Sequence, residues 1–269
     1  MTPLTGKTLR MARLSRRADD RYLFVPLDHS VADGPIASVA GFNRLVTAIC
    51  SGGADALVVH KGRARMIEPE LLVGSALVIH LSASTAHAPD ANAKVLVGDV
   101  EEALRIGADA VSVHVNIGSD TETTQLADLG AVADACSRWG MPLLAMIYPR
   151  GPRFTDPNSP KLLAHMVNIA ADLGADIVKT VVASPIGRMA EVIAASPLPV
   201  VVAGGDGHGL SVSELATSAL AAGCRGLAVG RRVFTSSDPR RVVQELAAIV
   251  HSDEFANKSE PQLKLAGAL

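Results

Sequence analysis

Aromatic residues are scarce in this 269-residue chain, which has one tryptophan, two tyrosines and five phenylalanines. Cys50, Cys136 and Cys224 are too few and too widely spaced for a disulfide framework, and no CxxC spacing marks a zinc site. They read as reduced thiols of a cytoplasmic protein. No apolar stretch reaches the roughly 18 residues of a membrane helix. The polar, basic segment 1–20 lacks the apolar core of a secretory signal. A net charge of −2 provides no basic stripe for nucleic acid. Neither GxGxxG nor GxxxxGKS/T occurs; Gly204-Gly205-Asp206-Gly207-His208-Gly209 has the wrong spacing for a nucleotide fingerprint. Lysine is also scarce, with seven against eighteen arginines, which together with abundant alanine reads as GC-rich coding.

What is present is a recurring apolar run. Segments 23–27, 55–60, 76–80, 109–115, 141–148, 176–180, 199–203 and 225–229 are almost continuously apolar, as strands of a parallel sheet covered on both faces are. Segments 41–51, 100–106, 121–138, 160–173, 186–195, 211–222 and 239–251 have helical length and period. Several helices end in one phrase: Gly53-Ala54-Asp55, Gly107-Ala108-Asp109, Gly174-Ala175-Asp176 and, varied, Gly223-Cys224-Arg225. Glycine suits the left-handed residue after a helix, and a strand follows within two residues. Eight such units predict a single α/β domain, a (β/α)8 TIM barrel over 1–269, with a polar segment 1–20 and a tail 253–269.

In such a barrel, active-site groups stand at the carboxyl ends of the strands. Those ends carry Asp28-His29, His60-Lys61, His80, His114 with Asn116, Tyr148 with Arg150, Lys179, Gly204-Gly205 and Gly230-Arg231. The loops after strands 7 and 8 of barrels often hold phosphate on backbone N–H groups. Here both are glycine-marked, at Gly204, Gly205 and Gly230, with Arg231 adding a cation. A lysine desolvated in a barrel mouth is a candidate nucleophile, and Lys179 and Lys61 are the rivals. An amine attacking a carbonyl next to a phosphate-bearing carbon must neighbour the phosphate site. Strand 6 adjoins strand 7, whereas strand 1 separates strand 2 from strand 8, so Lys179 is favoured. Tyr148 beside it is placed to move protons at a carbon next to an iminium, and Asp28 to orient the lysine or move a proton. A competing reading uses His60, His80 and His114 as ligands of a catalytic zinc; no HxH or HExxH spacing supports it. A third is a sugar-phosphate binder without catalysis. His87, His165, His208 and His251 read as loop or surface residues.

Val25-Pro26-Leu27-Asp28-His29, His60-Lys61-Gly62, Ile79-His80-Leu81-Ser82, Ser112-Val113-His114-Val115-Asn116, Tyr148-Pro149-Arg150-Gly151, Ala175-Asp176-Ile177-Val178-Lys179-Thr180 and Val202-Ala203-Gly204-Gly205 occur in this order. Together they resemble the archaeal-type class I (DeoC/FbaB) aldolases, in the branch of 2-amino-3,7-dideoxy-D-threo-hept-6-ulosonate synthase. The resemblance implies a TIM barrel, a Schiff-base lysine at Lys179, a proton donor at Tyr148, a third catalytic residue at Asp28, no metal or other cofactor, and a homo-oligomer, often a decamer. It implies a phosphorylated ketose-derived donor held at Gly204, Gly205, Gly230 and Arg231, and an aldehyde acceptor. Lys61, His114, Asn116 and Arg150 are further substrate-binding candidates. Two reactions of the branch join L-aspartate 4-semialdehyde to the donor. One uses dihydroxyacetone phosphate on the way to 3-amino-4-hydroxybenzoate; the other is a transaldol step toward 3-dehydroquinate. The bacterial look of the composition favours the first, and fructose-bisphosphate cleavage is a further alternative. Ser30 stands where the family usually has glycine, and Asp206-Gly207-His208 where it has proline and a basic residue.

Overall fold

In the computed structural model, residues 5–205 and 209–255 are described. Asp206, Gly207, His208 and the tail beyond residue 255 lie outside them. Eight parallel strands close into a barrel: β1 Tyr22–Pro26, β2 Ala56–Val59, β3 Ala76–His80, β4 Ala110–Ile117, β5 Leu143–Pro149, β6 Ile177–Thr180, β7 Val200–Ala203 and β8 Gly226–Ala228. Each pairs with its sequence neighbours, and β8 returns to β1 with Tyr22 opposite Gly226. All eight strands and seven helices fall within about two residues of the sequence reading; the segment 186–195 begins as a 3-10 turn, Ile186–Arg188, before its α-helix Met189–Ala195. No helix among the described residues is long and apolar enough to cross a membrane.

The pleat divides the apolar residues into two cores. Leu23, Val25, Leu57, Val59, Val111, Val113, Ala145 and Val178 point outward, packed under the helices. Tyr22, Phe24, Ala56, Val58, Val78, Leu144, Met146, Ile177 and Val201 fill the barrel.

The repeated phrase has a second function beyond ending helices. Its glycines Gly53, Gly107, Gly174 and Gly223 adopt φ of 91–101°, where a side chain would be strained. Its aspartates turn back to the neighbouring strand: Asp55, Asp109 and Asp176 accept the backbone N–H of Leu23, Leu77 and Leu143 at 2.6, 3.1 and 2.9 Å. Each carboxylate then meets a cation from a chain end. Lys7 pairs with Asp176 at 2.9 Å, Arg13 with Asp109 at 3.2 Å, and His251 with Asp55 at 3.0 Å.

The sequence reading assigned no element to segment 1–20, and one of its expectations, for His251, is corrected here. The polar segment 1–20 contains a helix, Gly6–Leu14, opened by a Thr5–Thr8 capping box. Its basic face meets the barrel floor, and Leu14 joins the interior core. His251 is not a surface residue. It is buried between Asp19 and Asp55, because the last helix, Pro239–Val250, delivers it under β1 and β2. His87 and His165 are exposed, as expected.

Candidate active site

A cavity of about 520 Å³ opens at the carboxyl ends of the strands. Asp28, His114, Tyr148, Arg150, Lys179, Gly204, Gly205, Gly230 and Arg231 line it together. The pleat accounts for this convergence. Lys179 is in phase with Ile177, Tyr148 with Leu144 and Met146, and Asp28 with Tyr22 and Phe24, so all three continue rows that face the barrel axis.

Lys179 is 8% exposed, and its Nζ lies 3.8 Å from Met146 Sδ, its register neighbour on β5. Among the described residues, no side-chain oxygen lies within hydrogen-bond distance of this amine. Tyr148, 6% exposed, is held between the His114 ring at 4.9 Å and the Arg150 guanidinium at 5.5 Å. Asp28 lies at the end of β1, with Oδ1 3.3 Å from His29 Nδ1 and Oδ2 3.7 Å from His80 Nε2. Burial alone would raise the Asp28 pKa, but His29, His80 and Lys179 outweigh it and hold the carboxyl well below the usual range. Asp28 is therefore an anion facing the amine. His29 is braced by Phe234, whose ring lies 5.2 Å away on the short helix after β8.

The histidine rings do not converge as ligands. His60 Nδ1 meets the His80 carbonyl at 3.1 Å, His80 Nδ1 meets Ser112 Oγ at 2.8 Å, and His114 Nε2 meets Asn116 Oδ1 at 2.8 Å. Among the described residues, no three histidine, cysteine or carboxylate side chains are grouped to hold a metal. Burial lowers all three imidazole pKa values, His80 to about 4 despite the opposing Asp28, so they are neutral at pH 7.

Two candidates lie elsewhere. Lys61 is absent from the cavity wall; it is one residue out of phase with His60 and points outward, where Glu102 takes its Nζ at 2.8 Å. Asn116 is fully buried behind the wall. Its Oδ1 accepts from His114 Nε2 at 2.8 Å, and its Nδ2 donates to the Asn92 carbonyl at 2.8 Å.

The β7 and β8 loops are joined. Arg232 donates to the carbonyls of Gly205 and Leu210 at 3.1 and 3.0 Å. A Cβ on Gly230 would lie 2.5 Å from the Pro26 carbonyl oxygen, and one on Gly204 2.8 Å from the Val229 side chain. One on Gly205 would meet nothing within 4 Å, so that backbone is open to the cavity. Wall residues to which sequence reasoning gave no role include His29, Met146, Lys94 and Arg232. His29 and Arg232 adjoin residues it had selected, and Met146 precedes Tyr148 by one pleat period. Lys94 had no signal beyond the scarcity of lysine.

Known proteins place this geometry in context. A protein of Streptomyces griseus named 2-amino-4,5-dihydroxy-6-oxo-7-(phosphonooxy)heptanoate synthase is 50% identical over 249 residues, covering 92% of this chain and 91% of its own. A 2-amino-3,7-dideoxy-D-threo-hept-6-ulosonate synthase of Halobacterium salinarum is 37% identical over 265 residues, covering 98% and 96%. The solved structure of a Schiff-base-forming fructose-1,6-bisphosphate aldolase superposes with a TM-score of 0.79 at 25% identity, covering 91% of this chain and 99% of that one. Residues 22–236 match the DeoC/LacD aldolase family, and the chain belongs to that family.

Proposed function

We propose that this protein condenses dihydroxyacetone phosphate with L-aspartate 4-semialdehyde to 2-amino-4,5-dihydroxy-6-oxo-7-(phosphonooxy)heptanoate through a Schiff base on Lys179. The 50% identity to the Streptomyces griseus protein of that name, over 92% of the chain, carries the choice of reaction. The site supports the chemistry. The Lys179 amine attacks the donor carbonyl, and loss of water gives an iminium. Removal of a proton from the adjacent hydroxymethyl carbon gives an enamine, which adds to the aldehyde carbon, and the new alkoxide takes a proton. Water then cleaves the iminium and regenerates the amine, so water lost on entry is regained on release.

Tyr148 moves the protons. Asp28, an anion facing the amine, orients Lys179 and stabilises its cationic iminium. Gly204, Gly205, Gly230 and Arg231 hold the donor phosphate beside β6, using backbone N–H groups and one cation. Lys179 neighbours β7 in the ring, with Val201 as its register partner, so a carbonyl one carbon from that phosphate falls over its amine. We further propose that the chain works in the cytoplasm as a homo-oligomer.

The test is borohydride trapping. Protein incubated with dihydroxyacetone phosphate and reduced gains one reduced donor mass on the Lys179 peptide, and Lys179→Ala gains none while keeping its circular dichroism spectrum. Trapping only with a deoxy-ketohexose phosphate moves the protein to the transaldol reaction. Turnover in Lys179→Ala removes the Schiff-base assignment.

A further inference from the structure

We propose that Lys94 and Arg150 form a carboxylate subsite that selects the acceptor aldehyde, across the cavity from the phosphate loops. This inference rests on the reaction proposed above and extends it to residues outside the catalytic trio.

Lys94 belongs to the long connection after β3. A two-stranded antiparallel ribbon, Ser82–Ala83 with Val95–Leu96, lifts this connection over the mouth, and its register continues so that Ser84 opposes Lys94. Lys94 Nζ donates to Ser84 Oγ. The ribbon is fixed from below: Ser82 Oγ accepts the His114 N–H at 2.9 Å. Two residues before Lys94, the Asn92 carbonyl accepts from Asn116 at 2.8 Å and from Gln125 at 2.9 Å. Ribbon serines on one side and buried amides beneath Asn92 on the other thus fix the backbone that carries Lys94.

Both cations line the cavity, and neither has a carboxylate at ion-pair distance among the described residues. Lys94 is half-buried, and burial and then the Arg150 charge lower its pKa, with Asp28, Asp33 and Asp90 opposing. Arg150 is exposed at the rim, so the desolvation falls on Lys94, and two like charges that feel one another there cost free energy unless an anion joins them. The ring order identifies which anion. In a barrel of eight, β3 stands opposite β7 and β4 opposite β8, so Lys94 faces the Gly204–Gly205 side across the mouth, with Lys179 and Tyr148 on the arc between. A donor phosphate at β7 and β8 points its reacting carbon toward β6. The acceptor approaches from the other side, and its one anionic group, a carboxylate three bonds from the aldehyde carbon, falls toward Lys94 and Arg150. The guanidinium also stacks over the Tyr148 ring, which ties carboxylate binding to the position of the phenol.

The test compares wild type, Lys94→Gln and Lys94→Arg with dihydroxyacetone phosphate and three acceptors: L-aspartate 4-semialdehyde, succinate semialdehyde and its methyl ester. A hydrogen bond between charged partners corresponds to a factor of about 10 to 100 in binding. Lys94→Gln should raise KM for both carboxylate aldehydes by that factor with kcat nearly unchanged, and leave the ester and the borohydride trapping of donor unaffected. Lys94→Arg should recover most of the loss. Equal losses for acid and ester, or a wild type that prefers the ester, overturn the subsite; so does impaired donor trapping with acceptor KM unmoved. A wild type that uses succinate semialdehyde but rejects L-aspartate 4-semialdehyde, with the acid-specific loss still seen in Lys94→Gln, refutes the proposed acceptor and upholds the subsite.

Discussion

Replacing His251 with leucine should destabilise the protein without touching its chemistry. His251 Nδ1 lies 2.7 Å from Asp19 Oδ2 and Nε2 3.0 Å from Asp55 Oδ2. Only the imidazolium can donate from both nitrogens. Burial opposes that charge, yet the Asp55 and Asp19 bonds prevail and raise the His251 pKa above 6.5. Leucine leaves the fully buried Asp55 without its cation. Removing one partner of a buried ion pair costs about 3–5 kcal/mol. Asp19 keeps Arg21 at 3.2 Å, and Asp55 keeps the N–H groups of Leu23 and Arg16, which favours the lower end. A loss of about 3 kcal/mol corresponds to a Tm drop of roughly 6–12 °C in a domain of this size. The pH dependence is specific. Because the folded pKa of His251 is raised, its contribution is full below 6.5 and is lost as pH rises through the folded value. Burial opposes ionisation of Asp19 as well, but the His251 contacts lower its pKa, so its share is present above 3.8 and is lost as pH falls through the folded value. Thermal melts of both proteins from pH 4 to 9 should therefore show the largest gap near pH 4–6.5 and a narrowing gap above it. A gap under about 1 kcal/mol at pH 5.5, or one that widens above pH 7, would refute the charged-imidazole account.

Tyr148→Phe should lower turnover by about 100-fold or more, the usual contribution of a placed acid–base group, with donor trapping on Lys179 retained; near-normal turnover assigns the proton transfers elsewhere. Gly230→Ala drives a methyl group against the Pro26 carbonyl and His29 and should cost about 1–3 kcal/mol in urea denaturation. Gly205→Leu has room, so it should fold normally and raise KM for the phosphorylated donor by obstructing the open backbone. Lys61→Met should change kcat/KM less than twofold and stability by at most about 1 kcal/mol, because its pair with Glu102 is on the surface and outside the cavity; a large kinetic loss would return Lys61 to the site.

Much of the site was legible because barrel strands encode it twice, by where they end and by the phase of their pleat. The ends alone identify Asp28, His114, Tyr148 and Lys179, but they rank His60 and Lys61 equally. The phase separates them: Ala56, Val58 and His60 face the axis, whereas Leu57 and Val59 lie under the helices and Lys61 follows them outward. Asn116 shows the limit of phase. It faces inward by count, but it lies past the cavity wall and serves the ribbon instead. Lys94 was beyond either rule, because its place depends on a ribbon register and on amides from β4 and the following helix, Glu122–Trp139, contacts that local pattern does not encode. The N-terminal helix was missed for a related reason. Lys7, Arg10 and Arg13 recur on one face of a segment with little apolar character, and the groups they meet, Asp176, the Gly140 carbonyl and Asp109, are brought beneath them only by the fold. The glycine–alanine–aspartate phrase links these cases. It was legible as a helix stop and strand start, and its aspartates also build the ionic floor to which both chain ends attach. The floor anchors the strands at their amino ends, which leaves the carboxyl ends, where barrels place their sites, to bring Lys179, Asp28 and Tyr148 into one cavity.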